Sequence, residues 1–317
     1  VSGTAPVGYV HAARLGTAGP DTAAALAPVL RAGLGAGGSV VLACSAPLAA
    51  ALQDQLPGPG VHTVDPAPLQ GRAPDALAGY SALLDRFGGT RSRVQLVTDS
   101  VGLLGPGMAA WLQTEALLNH VLADRAVDHF CMLDEADLGP EVARALACHP
   151  GLLGGDGVLD NPDRQDPAEV LRSLWAAPGP DPLETTRPTL EVEDVVSLRD
   201  LRRALTASLA DGPLDPDEAG DLVLAIDEVV SNAAEHGVPP VDVRLWVTEQ
   251  RVLCVVADRG QGFDEPLAGY GPAHGRDLSV GGMGLWLARR AVDRMTTAPL
   301  AHGDGCVVRL VIDPRTA

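Results

Sequence analysis

Apolar residues fall at i, i+4, i+7 and i+11 from Leu222 through Ile226 and Val229 to Ala233, the period of a helix that lays one face on a core. Glu228 and Asn232 lie one turn apart on the flank of that stripe, at the edge between core and solvent. Upstream, Asp215-Pro216-Asp217-Glu218 supplies an N-cap, a proline for the first helical position and a capping-box glutamate. Gly237 closes the segment just after His236, a residue placed favourably for the helix dipole. The pattern predicts a helix across this stretch and leaves one thing to explain, the acid and amide on its flank.

From Ser39 to Pro150, short apolar runs of β type alternate with helix-like segments: "SVVLACS" and "PLAAALQDQL", "VHTVD" and "PDALAGYSALLDRF", "RVQLVTD" and "MAAWLQTEALLNHVL", "HFCML" and "PEVARALAC". Such alternation predicts an α/β domain, a parallel sheet with covering helices. Between Gly151 and Pro188 the composition shifts to Gly, Pro and Asp around one short helical candidate, "PAEVLRSLW". The second half is ordered differently. Two helices, "VSLRDLRRALTASLA" and the segment already described, precede two alternating strands, "VDVRLWVT" and "RVLCVVAD". A glycine-rich stretch, a helix "MGLWLARRAVDRM" and a strand "CVVRLVID" follow. Helices followed by antiparallel strands predict an α+β sandwich with a mostly antiparallel sheet. The expected division is 8–160 for the first domain, 161–189 for a linker and 190–317 for the second domain.

A chain of 317 residues, 46% hydrophobic, is long enough for two cores. The net charge of −18 is shared by both halves, so neither has the basic footprint of direct nucleic-acid binding. Lysine is absent, so a bound phosphate must be held by arginine, backbone N–H groups or a metal. The five cysteines are scattered and form no C-x-x-C pair, which argues against a disulfide framework and against a zinc site and fits a reducing cytosol. No apolar run reaches membrane-spanning length, and the first residues lack the charged-then-apolar pattern of a signal peptide. A soluble, cytoplasmic protein with no membrane partner is expected.

Three literal matches fail on context. Gly33 to Gly38 spells G-x-G-x-x-G, but it precedes a strand where the dinucleotide fingerprint follows one, so a loop is expected. Asp134-Glu135-Ala136-Asp137 resembles a helicase acidic motif, yet no lysine is available for a phosphate loop. A protein-kinase fold lacks its ATP-binding lysine for the same reason. The second half holds a more coherent set. "VLCVVAD" ends on Asp258, followed by Gly260 and Gly262, and about twenty residues later "GGMGLW" opens a helix. Glycines that open a helix let backbone N–H groups approach phosphates, where the dipole favours negative charge.

With Glu228-x-x-x-Asn232, Asp258-x-Gly260-x-Gly262 and Gly282-x-Gly284-Leu285 in this order, residues 190–317 resemble GHKL (Bergerat-fold) ATPase domains, in particular anti-sigma-factor serine kinases of the RsbW type. The resemblance implies a serine/threonine protein kinase that uses ATP and Mg2+. It implies that Asn232 holds Mg2+ against the phosphates, Glu228 is the general base, Asp258 accepts the adenine amino group, and the later glycines bind phosphate. One helical turn lets a carboxylate and an amide oxygen address the same metal-bound triphosphate. The Gly- and Pro-rich segment from Asp264 to Val280 would be a lid, with Arg276 as candidate for the terminal phosphate or a solvated loop charge. Trp286 and Leu287 are expected in the core. The implied partners are a sigma factor and an anti-anti-sigma (STAS-type) protein, exchanged by partner switching, and the family suggests a homodimer. Two alternatives stay open: an ATP-gated protein-binding module without turnover, and a sensor histidine kinase. The second needs a phospho-accepting histidine ahead of the ATPase domain, and none occurs between His149 and His236.

Residues 8 to about 160 resemble the MEDS-type sensory domain of RsbA-like regulatory proteins, on "TEALLNHVLADRAVDHFCMLDEADLGPEVARALACHPGLL", Thr114 to Leu153. Thr114 stands where that family commonly has histidine, and Met132-Leu133-Asp134 replaces a Pro-Tyr-Asp run. His120, His149, Glu115 and Asn119 are candidates to line a pocket, with buried histidines and helix-surface acids the commoner explanation. No ligand is assigned to them.

Overall fold

The computed structural model describes residues 8–88, 93–103, 107–155, 157–175, 180–262, 266–270, 283–299 and 305–313. The chain divides into two compact units, Val1–Leu174 and Trp175–Ala317. Among the described residues no helix is long and apolar enough to cross a membrane.

In the first unit, β1 (Tyr9–Leu15), α1 (Pro20–Gly35), β2 (Ser39–Leu42), α2 (Ala46–Gln55), β3 (Val61–Thr63), α3 (Ala73–Phe87) and β4 (Val94–Asp99) lead to α4 (Ser100–Leu103) and α5 (Met108–Val121). There follow β5 (Val127–Leu133), α6 (Glu135–Leu138), α7 (Val142–Ala147), β6 (Gly151–Gly154), β7 (Gly157–Asp160) and α8 (Pro167–Trp175). The sheet runs β3-β2-β4-β5-β1-β6-β7, with every pair parallel except the antiparallel β6–β7 edge. β1 and β4 flank β5, so these strands are covered on both faces, as crossover helices require. Their side chains alternate. Ala12, Val97, Phe130 and Met132 join the α1–α2 core, and by the two-residue period His11, Thr98, His129 and Cys131 point to the opposite face. The Gly33–Gly38 run, expected as a loop, holds the last turn of α1 and the turn into β2. Gly33 lies within α1, where its missing side chain leaves room for the Gln95 amide that a Cβ would overlap.

Of the stretch expected as a linker, α8 buries Val170 and Leu171 completely, and a short 3-10 turn at Pro182–Thr185 carries its own capping box from Asp181 and Glu184.

The second unit comprises β8 (Leu190–Val192), α9 (Leu198–Leu209), α10 (Pro216–His236), β9 (Asp242–Thr248), β10 (Arg251–Asp258), α11 (Met283–Ala291), β11 (Arg294–Pro299) and β12 (Cys306–Ile312). Its sheet, β11-β12-β10-β9-β8, is antiparallel throughout. α10 begins where the sequence places it: Asp215 accepts the Asp217 and Glu218 N–H groups, and Glu218 reaches back to the Asp215 N–H. One sheet face and the three helices share a core of Leu201, Leu205, Leu222, Ile226, Val230, Leu245, Cys254 and Leu310 among others. On the reverse face Trp246, Leu253, Val255, Val307 and Val311 pack with Leu183.

Two expectations need correction. The helix read through Met295 stops at Ala291, and Arg294–Pro299 is an edge strand in which Met295 pairs with Leu310. Trp286 and Leu287 are half-buried, whereas Ala288 and Ala291 take the core positions of α11. Small residues let α11 lie close, and the Trp286 ring instead carries the Arg290 guanidinium 4.9 Å above it.

Candidate functional site

α10 and α11 meet where Glu228 faces the first turn of α11. A Cβ at Gly284 would overlap the Glu228 carboxylate and lie 3.1 Å from its carboxyl carbon, so the absence of a side chain is what admits Glu228 there. Asn232, one turn further along α10, is half-buried like Glu228. Leu285 is partly buried and packs on the core of the unit. The first turn of a helix presents unpaired N–H groups and the positive end of its dipole. The Glu228 carboxylate thus borders a helix end suited to anions, with Asn232 one turn along α10.

Asp258 closes β10 and is 7% exposed. Its Oδ1 accepts the Gly260 N–H at 2.6 Å and the Val238 N–H at 3.4 Å, which joins the end of β10 to the exit of α10. The approach is close: a Cβ on either Gly237 or Gly260 would stand 2.7 Å from Asp258 Oδ1, and one on Gly260 would stand 3.2 Å from the Gly237 Cα. Gly262 has φ +72°, a conformation that favours glycine, and packs beside Cys306. The structure therefore brings Glu228 to Gly284, and Asp258 with Gly260 to the far end of the helix that carries Asn232. Arg276, Gly282 and, of the expected lid, residues 264–265 and 271–280 lie outside the described residues. His236 is exposed at the end of α10.

Two further contacts were not read from the sequence. Asp227, next to Glu228 and buried, is gripped by the Arg202 guanidinium of α9, with Nε 2.9 Å from Oδ1 and the second nitrogen on Oδ2. The hydrogen bonds and charge of Asp227 raise the Arg202 pKa. This pair ties α10 to α9 beside Glu228. Arg289 of α11, 4% exposed, donates to the Ala268 carbonyl at 2.9 Å and to the Tyr270 hydroxyl at 3.2 Å, with its guanidinium 4.4 Å from the Tyr270 ring centre. The turn Pro266–Tyr270, at the start of the expected lid, is thereby attached to α11.

Gly284→Ala tests the approach of Glu228. The added methyl meets the far end of a flexible side chain, so thermal unfolding should stay within about 1 kcal/mol of wild type, while Glu228 is displaced from the first turn of α11. A crystal structure of the variant with Glu228 unmoved would contradict this.

Residues 192–312, which span the antiparallel five-stranded sheet and its three helices, match the family described as the histidine kinase-like ATPase domain. The second unit carries a GHKL-type ATPase domain. The chain is similar to the serine-protein kinase RsbW of Bacillus subtilis (strain 168), 37% identical over 90 residues, which is 25% of this chain and 56% of that protein. RsbW of Bacillus velezensis matches at 37% over 90 residues and that of Bacillus pumilus at 36% over 92, covering 25% of this chain in each case and 56% and 57% of those proteins. The chain thus spans little more than half the length of the curated relatives it matches. The histidine kinase domain of the E. coli osmosensor EnvZ, at 16% identity over 42% of this chain and 92% of that one, has a TM-score of 0.24, too low to bear on the fold.

Proposed function

We propose that the protein is an ATP-dependent anti-sigma factor and serine/threonine kinase of the cytoplasm, which holds a sigma factor and phosphorylates a STAS-type anti-anti-sigma protein to exchange partners. The observation that carries this reading is the position of the Glu228 carboxylate at the first turn of α11, with Asn232 one helical turn away. Similarity to serine-protein kinases over the same part of the chain supports it. The first unit is the sensory half in this reading, of MEDS type, and the active form is a homodimer.

The residues suit Mg-ATP. Glu228 and Asn232 offer hard oxygen donors of the kind magnesium prefers, and Gly284 leaves open the space a side chain would fill at the helix start. Asn232 would hold the metal, which when bound offsets charge on the phosphate oxygens. Asp258, Gly260, Gly262, Gly284 and Leu285 would line the nucleotide. Gly282 and Arg276 are assigned to the phosphates on sequence alone. Glu228 would take the proton from a serine or threonine hydroxyl as its oxygen bonds to the γ-phosphorus and the bond to the β–γ bridging oxygen breaks, with ADP leaving.

The test is to incubate the full chain with γ-labelled ATP, Mg2+ and the antagonist, and to follow acid-stable label and sigma-factor release. Label on a Ser or Thr of the antagonist, abolished by chelation of Mg2+, is expected. Tight nucleotide binding without transfer would leave an ATP-gated binding module, and acid-labile label on this chain would indicate a histidine kinase.

A further inference from the structure

Four side chains from distant parts of the first unit converge on one buried point. His11 of β1, Glu115 of α5, Cys131 of β5 and His149, between α7 and β6, are 0–2% exposed. Their His nitrogen, carboxylate oxygen and sulfur atoms all lie within 4.8 Å of one another. The hydrogen bonds around them decide which atoms carry protons. The Ala145 carbonyl, 2.8 Å from His149 Nδ1, can only accept, so Nδ1 carries a proton and the neutral tautomer leaves Nε2 bare. Asn119 donates from Nδ2 to the Cys148 carbonyl at 2.7 Å, which turns its Oδ1 towards His11 Nδ1 at 3.1 Å. A neutral His11 ring therefore also carries its proton on Nδ1, which leaves Nε2 bare.

Two bare ring nitrogens then face one carboxylate. His11 Nε2 and His149 Nε2 each stand 3.2 Å from Glu115 Oε2. His149 Nε2 and Glu115 Oε1 have no hydrogen-bond partner. Lone pairs pressed together in a dry interior cost free energy unless a proton or a metal cation lies between them. Cys131 Sγ completes the group, 3.3 Å from His11 Nε2 and 3.7 Å from Glu115 Oε2.

We propose that His11 Nε2, His149 Nε2, Glu115 Oε2 and Cys131 Sγ form a four-coordinate site for a divalent transition ion, zinc. A tetrahedron with ordinary zinc bond lengths has edges of about 3.3–3.7 Å, and four of the contacts here measure 3.2, 3.2, 3.3 and 3.7 Å. Thiolate and imidazole select such an ion over Mg2+ or Ca2+. One thiolate and one carboxylate balance its charge, so the occupied site is neutral, as full burial demands. The surroundings follow the pattern of a metal's outer partners: each ligating ring donates its other N–H to a fixed oxygen. The Thr98 hydroxyl points at the sulfur from 3.3 Å, itself 2.9 Å from His129 Nε2, while Tyr9 OH lies 2.7 Å from His129 Nδ1. With four protein ligands the site is closed, which makes it structural: the ion ties β1, β5, α5 and the approach to β6 together. His120, half-buried on α5, is not one of the four. Cysteine spacing argues against zinc only because the ligands here are contributed singly by separate elements.

The test strips the purified full chain with a chelator, then adds Zn2+ or Co2+ with Mg2+ in excess. One zinc bound per chain by elemental analysis is expected, together with a cobalt form showing tetrahedral d–d bands and a thiolate-to-cobalt charge-transfer band. Cys131→Ser removes the charge-transfer band. Asn119→Leu, which touches no ion, weakens binding about 10–100-fold by releasing His11. A folded wild-type chain that takes up no Co2+, or a cobalt spectrum without the sulfur band, overturns the proposal, and this holds even where the variants fail to fold.

Discussion

Glu228→Gln is expected to lower phosphoryl transfer to the antagonist by about 10²–10⁴-fold, the usual contribution of a positioned general base, and to leave nucleotide binding intact. Glutamine keeps the length and volume of the side chain, so the contact with Gly284 persists and α10 continues to pack on α11. What disappears is the ability to take a proton from the attacking hydroxyl. Single-turnover transfer, measured beside calorimetric titration of Mg-ATP, separates the two quantities. Transfer at the wild-type rate would remove Glu228 from the chemistry; loss of nucleotide affinity along with transfer would make it a binding residue.

Asp258→Asn should retain the fold and weaken ATP about ten- to hundredfold, the value of one well-made buried hydrogen bond of roughly 1–3 kcal/mol. The asparagine Oδ1 still accepts the Gly260 and Val238 N–H groups, so the junction between β10 and the exit of α10 survives. The second oxygen becomes an NH2 group, which cannot accept from the adenine amino group. Melting curves check the first half of the prediction and ATP titration the second. A variant that binds ATP as tightly as wild type would show that adenine is read elsewhere. Asp258→Ala, in contrast, abandons two backbone donors at a position 7% exposed and should lower stability as well.

What the sequence made legible was local. α10 is written in consecutive residues, with Asp215, Pro216 and Glu218 setting its start and the 3.6-residue period of Leu222, Ile226 and Val229 setting its buried face. The same holds for Glu228 and Asn232, whose shared flank follows from spacing alone. β11 is hidden because the helical pattern of "MGLWLARRAVDRM" carries through Met295 and "RMTTAP" ends in a proline; its pairing with β12 supplies what its own pattern lacks. β1 was passed over in "YVHAARL", where a histidine and small alanines interrupt the apolar alternation that marks a strand. Its burial comes from β5, against which His11 lies in register with His129. The Arg202–Asp227 pair spans 25 residues and the Arg289–Tyr270 contact 19, and no spacing rule links either. Nor does one link His11 to Glu115, Cys131 and His149, which only the parallel β1–β5 pairing and the placement of α5 bring together.

The reverse face of the second sheet bears on how the ATPase domain is to be excised. Leu183 packs against the cluster that holds Trp246 and Leu253, Glu184 receives two nitrogens of Arg309, and the Thr186 carbonyl takes the Trp246 indole N–H. All three residues precede Val192, where the family match begins. A fragment cut at that boundary would bare an oily patch centred on a tryptophan and invite self-association, whereas one begun at Pro180 carries its own cover.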